Sequence, residues 1–379
     1  PELNAGMAYE RTRNSQDSAQ GGTAAGEQVP REQSLQRTTL DASYELDFWG
    51  KTRRSVESAR ALSAASEAAR DTVLLNLTAD VAENYFSLRS IDAEIVVLER
   101  TLGLREKALA VNQSRLDVGV ALPADVSQAE TELANVQSDL SEAQRRRILF
   151  RNGLAVLCGE PASTFALESR PLAFAPPPDV PAGLPSELLL RRPDVAEAER
   201  FTASQCAEIG VSKAAFLPSV KLTGFAGWES LELKDLFDAD SQIWSIGPSL
   251  TLPLFSGGTN SANLKAAEAR YEQAIAAYRQ RVLGAFRDVE NALANTRAYA
   301  EQAVALRRAE VSARHTAGHY DRRLQGGMIS YLDVVETQRT LLESERAAKR
   351  NLGARYVASV HLIKALGGGW SADEYSPLR

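Results

Sequence analysis

The sequence predicts a mainly helical chain with a small membrane β part, folded as an internal duplication. Three observations lead there: four short stretches of polar/apolar alternation set in two pairs, a long heptad-patterned region after each pair, and a register that lays the second half on the first. Four strands cannot close a barrel. An edge left inside hydrocarbon keeps backbone N–H and C=O groups unpaired at a large cost, and barrels begin at about 8 strands, so a membrane reading requires several copies of the chain to share one wall.

Residues 1–48 hold the first strand pair. Leu3, Ala5, Met7 and Tyr9 alternate with Glu2, Asn4, Gly6 and Glu10; Leu40, Ala42, Tyr44, Leu46 and Phe48 alternate with Asp41, Ser43, Glu45 and Asp47. A period of two over about ten residues turns one face to lipid and one to a lumen, which makes Leu40, Ala42, Tyr44, Leu46 and Phe48 the candidate lipid-facing set. Residues 10–37, with Gly21-Gly22, Gly26 and Pro30, read as a polar loop facing outer solvent.

From 49 to 169 the pattern is a long helical hairpin. Its first arm, 51 to about 118, has a seam at Leu74, Leu77, Val81, Asn84, Leu88, Ile91, Ile95, Leu98, Leu102, Arg105, Leu109, Asn112 and Leu116, and would run roughly 100 Å at about 1.5 Å per residue. Residues 117–123 break it, with Gly119 suited to a left-handed cap and Pro123 to the first turn of a return helix. That return arm carries Val126, Ala129, Leu133, Val136, Leu140, Ala143, Arg147, Phe150, Leu154 and Leu157, and stops at Gly159-Glu160-Pro161. Residues 170–185 are a proline-rich extended crossing, and 186–217 hold a short helix. The second strand pair, 218–255, places Val220, Leu222, Ala226, Trp228, Trp244, Ile246, Leu250, Leu252 and Leu254 on its apolar face, with 229–240 as the counterpart outer loop. The second hairpin, 256–369, has the smaller seam Ala285, Val289, Ala292, Ala303, Ala313 and Ala317, and 370–379 form a tail.

A shift of 208 matches Arg115-Leu116 to Arg323-Leu324, Gly119 to Gly327, Asp125-Val126 to Asp333-Val334, Leu133 to Leu341 and Gly159 to Gly367. A net charge of −6 offers no basic field for a phosphate backbone, so nucleic acid is not an expected partner. Cys158 and Cys206 lack metal-ligand spacing and are expected to be reduced and packed on helices, with a single disulfide in an oxidising compartment as the alternative. No run of 18 apolar residues is present, which excludes a spanning helix. Opening inside a strand pattern, the chain reads as a fragment whose export signal and first helical portion precede Pro1.

Five motifs, in order along nearly the whole chain, carry a resemblance: Tyr44-Glu45-Leu46-Asp47-Phe48-Trp49-Gly50-Lys51, Leu188-Leu189-Leu190-Arg191-Arg192-Pro193-Asp194-Val195, Ala214-Ala215-Phe216-Leu217-Pro218, Leu252-Pro253-Leu254-Phe255-Ser256-Gly257-Gly258 and Lys364-Ala365-Leu366-Gly367-Gly368-Gly369-Trp370. The chain resembles TolC-type outer membrane factors of the OprM/NodT-like efflux lipoprotein branch. The lipidated cysteine and first helices of that branch have no counterpart here. The resemblance implies a homotrimer whose 12-stranded β-barrel, four strands per chain, is continued by a long coiled-coil α-barrel through the periplasm. It also implies three partners: outer membrane lipid, a periplasmic adaptor (membrane fusion) protein, and an inner-membrane pump such as an RND transporter.

By that resemblance the two turns are the periplasmic tips, where Leu116, Val118, Gly119, Leu324, Gly326 and Gly327 would meet the adaptor while the glycines also serve as helix caps. Leu332, Asp333, Glu336 and Arg339 recur at steps of three and four, and the family's pore constriction falls there. Threefold symmetry would turn Asp333 and Glu336 into cation-attracting rings and Leu332 into an apolar one, with Arg339 pairing to Asp125 across helices. The competing reading makes Asp125 and Asp333 first-turn carboxylates that complement the helix dipole. Enzymatic readings fare poorly: His315 and His319 stand four apart, but Thr316 occupies the place of a metalloprotease glutamate, and no P-loop, nucleophile elbow or dinucleotide fingerprint occurs. No catalysis, cofactor or metal is expected. The expected function is a passive efflux conduit opened by its adaptor. A soluble periplasmic coiled-coil scaffold without a pore is the alternative, and a metal-binding protein using His315 and His319 the third.

Overall fold

The computed structural model describes residues 1–13, 32–172, 175–178, 192–326 and 328–368. Their order is β1 (Glu2–Arg13), β2 (Glu32–Leu46), α1 (Lys51–Asp117), α2 (Pro123–Leu157), α3 (Pro193–Ala214), β3 (Ser219–Ser230), β4 (Gln242–Thr251), α4 (Thr259–Gln325) and α5 (Tyr331–Ala365). No helix among the described residues is long and apolar enough to cross a membrane. Two bodies can be distinguished, Pro1–Ser63 with Phe201–Ile275, and Ala64–Arg200 with Ala276–Arg379.

In the first body the four strands form one antiparallel sheet in the order β1-β2-β3-β4. Register keeps the alternation in phase: Ala5 lies opposite Leu40, Leu40 opposite Ala226, and Ala226 opposite Trp244. A slip of one residue would turn every apolar side chain to the other face, so the pattern excludes odd slips of the pairing. The strands run further than the alternation suggests. Residues 10–13 and 32–37, expected as loop, are ladder, because backbone hydrogen bonds need no apolar side chains and polar cross-strand pairs such as Arg11–Glu32 at 2.8 Å decorate them. The rest of that loop, with Gly21, Gly22, Gly26 and Pro30, lies outside the described residues, as do Leu188 to Arg191, Gly369 and Trp370.

The strand-to-helix junction explains its own sequence. Asp47 accepts the Thr52 and Arg53 backbone N–H groups at 3.0 and 2.9 Å, which satisfies donors that the start of α1 leaves open. Gly50 turns the chain at φ +77°, and Trp49 Nε1 donates to the Pro218 carbonyl at 2.7 Å, tying the first junction to the start of β3. Phe48, expected on the strand, lies past its end within this bend.

In the second body two helical hairpins pack together. A shift of 208 carries α1 onto α4, both 67 residues, and α2 onto α5, both 35. The largest apolar cluster joins Ile91, Ile95, Val97 and Leu98 of α1 to Val136 and Ala143 of α2 and Leu342 of α5. Leu74 and Leu77, expected in the α1 seam, are exposed, and Ala68 and Ala79 are buried instead. Cys158 and Cys206 are free thiols, but both are exposed rather than packed.

Carboxylates are buried beside the apolar cluster, each held by arginines. Glu94 is 1 % exposed and accepts from Arg146, Arg346 and Arg350 at 2.6, 2.9 and 2.6 Å. Asp92 accepts from Arg89, Arg147, Ser169 and the Arg170 backbone N–H, so it also holds the chain that follows α2 against α1. Burial alone would raise both carboxyls. For Asp92 the Arg170 N–H, Arg147 and Arg89 outweigh it, and for Glu94 Arg350 and Arg346 do so with help from the charge of Arg146; both are held below their ordinary range.

Candidate functional site

Both helical turns close by the same hydrogen bond. At the first, Gly119 has φ +75° and the Val120 N–H reaches the Arg115 carbonyl at 2.8 Å; at the second, the Met328 N–H reaches the Arg323 carbonyl at 3.0 Å. These satisfy helix-end carbonyls in the manner of a Schellman cap. Gly327, the sequence counterpart of Gly119, lies outside the described residues. Of the expected tip residues, Val118, Gly119 and Gly326 are exposed, Leu116 is half-buried, and Leu324 packs inward against Ala129, Tyr331 and Val335. Exposed Val120, Leu122 and Met328 add apolar surface that a search for shared glycines passes over.

The two aspartates are caps. Asp333 Oδ2 accepts from Ser330 N at 3.1 Å and Ser330 Oγ at 2.7 Å, and Asp125 Oδ2 accepts from Leu122 N at 3.0 Å. Their positions differ by 208, so duplication preserved the capping carboxylate. Leu332 and Glu336 point away from the protomer, Glu336 with 73 % of its side chain exposed.

Arg339 does not pair with Asp125. Its partners are Glu132, two turns further along α2, and Glu336 at 3.8 Å. Because Asp125 is engaged at the cap, the inter-helix role passes to the next carboxylate on the same face. Behind the tips this contact belongs to a polar chain through all four long helices: Asp321 accepts from Gln338 at 2.9 Å, Gln338 from Arg105 at 2.6 Å, and Glu132 faces Arg105 at 3.5 Å and binds Arg339. Buried Tyr331 adjoins this group. Burial pushes its phenol above the ordinary value, Arg105 opposing and Glu132 adding to the shift. The signals of this chain in the sequence are Arg105, which the heptad pattern puts in the seam, and Arg339, expected to pair across helices.

The sheet has two different faces. One is apolar across all four strands: Leu3, Ala5 and Met7, then Leu40, Ala42, Tyr44 and Leu46, then Val220, Leu222 and Ala226, then Trp244, Ile246 and Leu250. On the other, Glu45 meets Lys221 at 3.9 Å, Arg37 meets Glu229 at 3.7 Å, and the Arg37 guanidinium lies 4.7 Å from the Phe225 ring centre. Among the described residues β1 and β4 each pair on one side only. The His315 and His319 rings meet edge to face at 4.4 Å, with His319 Nδ1 3.1 Å from Arg322, and no group of three or more metal-ligating side chains occurs among the described residues.

The sequence profile of the outer membrane efflux protein family matches residues 1–160 and 184–368. Among characterised relatives, outer membrane protein OprJ of Pseudomonas aeruginosa is 33 % identical over 374 residues, 98 % of this chain and 76 % of its own. Cation efflux system protein CusC of Escherichia coli is 33 % identical over 333 residues, 88 % of this chain and 72 % of its own. The crystal structure of the open state of the Neisseria gonorrhoeae MtrE outer membrane channel superposes with a TM-score of 0.83 at 34 % identity, covering 97 % of this chain and 81 % of that one.

Proposed function

The chain belongs to the outer membrane efflux protein family, and we propose that three copies of it form one conduit whose periplasmic end is gated by Leu332, Asp333 and Glu336 and opened by an adaptor. It is an outer membrane channel of a tripartite efflux system with its helical part in the periplasm, and not a scaffold without a pore. Adaptor and pump are its partner classes.

The observation that carries the trimer is the sheet: one face apolar over four strands, with two long edges left unpaired. In hydrocarbon those edges must find partners, and the edge of another copy matches in length and polarity. Three copies supply twelve strands, within the range of known barrels. The proposed test is the mass of the full-length protein in detergent before and after boiling; a monomer soluble without surfactant would overturn the channel.

At the tip the exposed Leu332 and Glu336 support an apolar ring beside an acidic one, and Arg339, anchored on Glu132, restrains the helix that carries them. Val118, Val120, Leu122 and Met328 supply the exposed apolar surface for the adaptor, with Gly119, Gly326 and the half-buried Leu116 beside them, while Leu324 supports the tip from inside. Asp333→Ala combined with Glu336→Ala is expected to raise single-channel conductance and lower cation preference in planar bilayers, since ring and cap vanish together. Glu336→Gln, which leaves the cap intact, isolates the ring; unchanged selectivity in both variants removes the gate assignment.

A further inference from the structure

The sequence suggests that the connection between β3 and β4 stands in outer solvent, yet its side chains argue otherwise. We propose that this loop, 231–241, lies at the membrane–water boundary of the outer leaflet, with the side chains of Leu231, Leu233 and Phe237 reaching into its acyl chains. This rests on the reading of the apolar sheet face as lipid-facing.

Leu233 is 68 % and Phe237 66 % exposed, and Leu231 is open as well, while Leu236 between them is fully buried. The loop is therefore docked, not loose. It is built of two single-turn 3₁₀ helices, Leu233–Asp235 and Ala239–Ser241, and Ser241 Oγ donates to the Asp235 carbonyl at 2.7 Å. Its direction is fixed by Phe237, which meets the Trp228 ring edge to face at 5.7 Å. Trp228 lies opposite Thr38, and Thr38 opposite Met7, so it belongs to the apolar face and not to the polar one.

The loop thus continues that face beyond the end of β3. Among and after its apolar residues stand Glu232, Lys234, Asp235, Asp238 and Asp240, with Lys234 and Glu232 paired at 2.8 Å in the open. Apolar groups interleaved with charged ones, next to a tryptophan, are the composition of the membrane–water boundary. The β1–β2 hairpin offers the opposite case, since its strand ends carry Arg11, Arg13 and Glu32, joined by ion pairs. Continuity with the apolar face favours lipid over a protein partner.

Nitroxide labels decide the matter in the full-length protein, reconstituted in nanodiscs of phosphatidylethanolamine and phosphatidylglycerol. Exposed Cys158 and Cys206 are first replaced by serine. One label enters through Leu233→Cys, a second through Phe237→Cys in case the first perturbs folding, and a reference through Ile246→Cys on the apolar face of β4. Oxygen, which concentrates in acyl chains, is expected to relax the loop labels and the reference alike, and a water-soluble nickel chelate to reach neither. Loop labels accessible to nickel beside a reference in lipid would overturn the inference and leave the channel intact. Loop labels shielded from both agents would overturn it in favour of a protein contact. If the reference too is in water, the lipid-facing wall itself fails.

Discussion

The two helical hairpins have identical arm lengths and the same turn hydrogen bond, yet almost nothing inside them is alike. α1 buries Leu88, Ile91, Ile95 and Leu98, whereas α4 buries Ala285, Val289, Ala292 and Ala317. Their charges are complementary. Glu94 and Glu132 of the first hairpin are held by Arg346, Arg350 and Arg339 of the second, and Arg100 of the first returns the favour to Glu345. Duplication preserved length, cap and turn, which define a backbone, while the interiors diverged until each half required the other. Gly353 of α5 marks how close that fit became: a Cβ there would sit 2.3 Å from Ser90 Oγ on α1.

The sharpest way to break this comparison is to remove one carboxylate from each half. Glu94→Ala leaves three arginines around an empty site and is expected to cost about 3 kcal/mol, the low end for a half-removed buried pair, because Arg346 keeps Asp139 and Glu343. Glu345→Ala should cost about 1 kcal/mol, since Arg100 and Arg314 are half exposed and regain water. Thermal unfolding of the assembled protein measures both, and equal losses would dissolve the distinction.

Protonation tests the same site more gently. The folded values of Asp92 and Glu94 lie below their ordinary 3.8 and 4.5, so their contribution is complete above those values and is lost as pH falls through the folded ones. Hydrogen exchange around 88–98 should therefore accelerate as pH drops below about 4, after correction for the intrinsic rate. Constant protection down to pH 2 would mean that the arginines do little.

At the turns the expected effects stay below that of Glu94→Ala and are again unequal. Gly119→Ala forces a side chain into the left-handed region and should cost about 1–2 kcal/mol. Gly326 has no positive φ, and its nearest obstacle is the mobile end of Met328 at 3.2 Å, so alanine there should be nearly neutral. The N-cap positions differ as well: Ser330→Ala should cost about 1 kcal/mol, while Leu122→Ser, at the counterpart whose N-cap side chain makes no hydrogen bond, should gain a few tenths. Chemical denaturation of the four variants ranks them.

Helix limits were legible because their signals are local: Gly119, Pro123 and Gly159 stand where α1 and α2 end or begin. The face of each strand was legible because alternation over ten residues admits one phase. What stayed hidden has a physical cause in each case. The heptad pattern looks for large apolar residues, so Leu74 and Leu77 drew the seam of α1 to a face that alanines do not share, and a straight helix drifts from a seven-residue repeat by about 20° per heptad. Glu94 and Glu132 fall beside the seam rather than on it, and nothing local announces that arginines more than 200 residues away will come to them. Asp125 looked like a partner for Arg339 because pattern alone cannot tell a carboxylate spent on a helix end from one left for a neighbour.

The open rims of the sheet have a genetic consequence. In the proposed ring β1 of one copy would meet β4 of the next, two different edges, so the contact would be head to tail and each subunit would be needed twice, once on either side. A protomer with one blocked rim could still join a growing ring through the other and then stall it. Such an allele would act dominantly, spoiling the work of healthy copies expressed beside it.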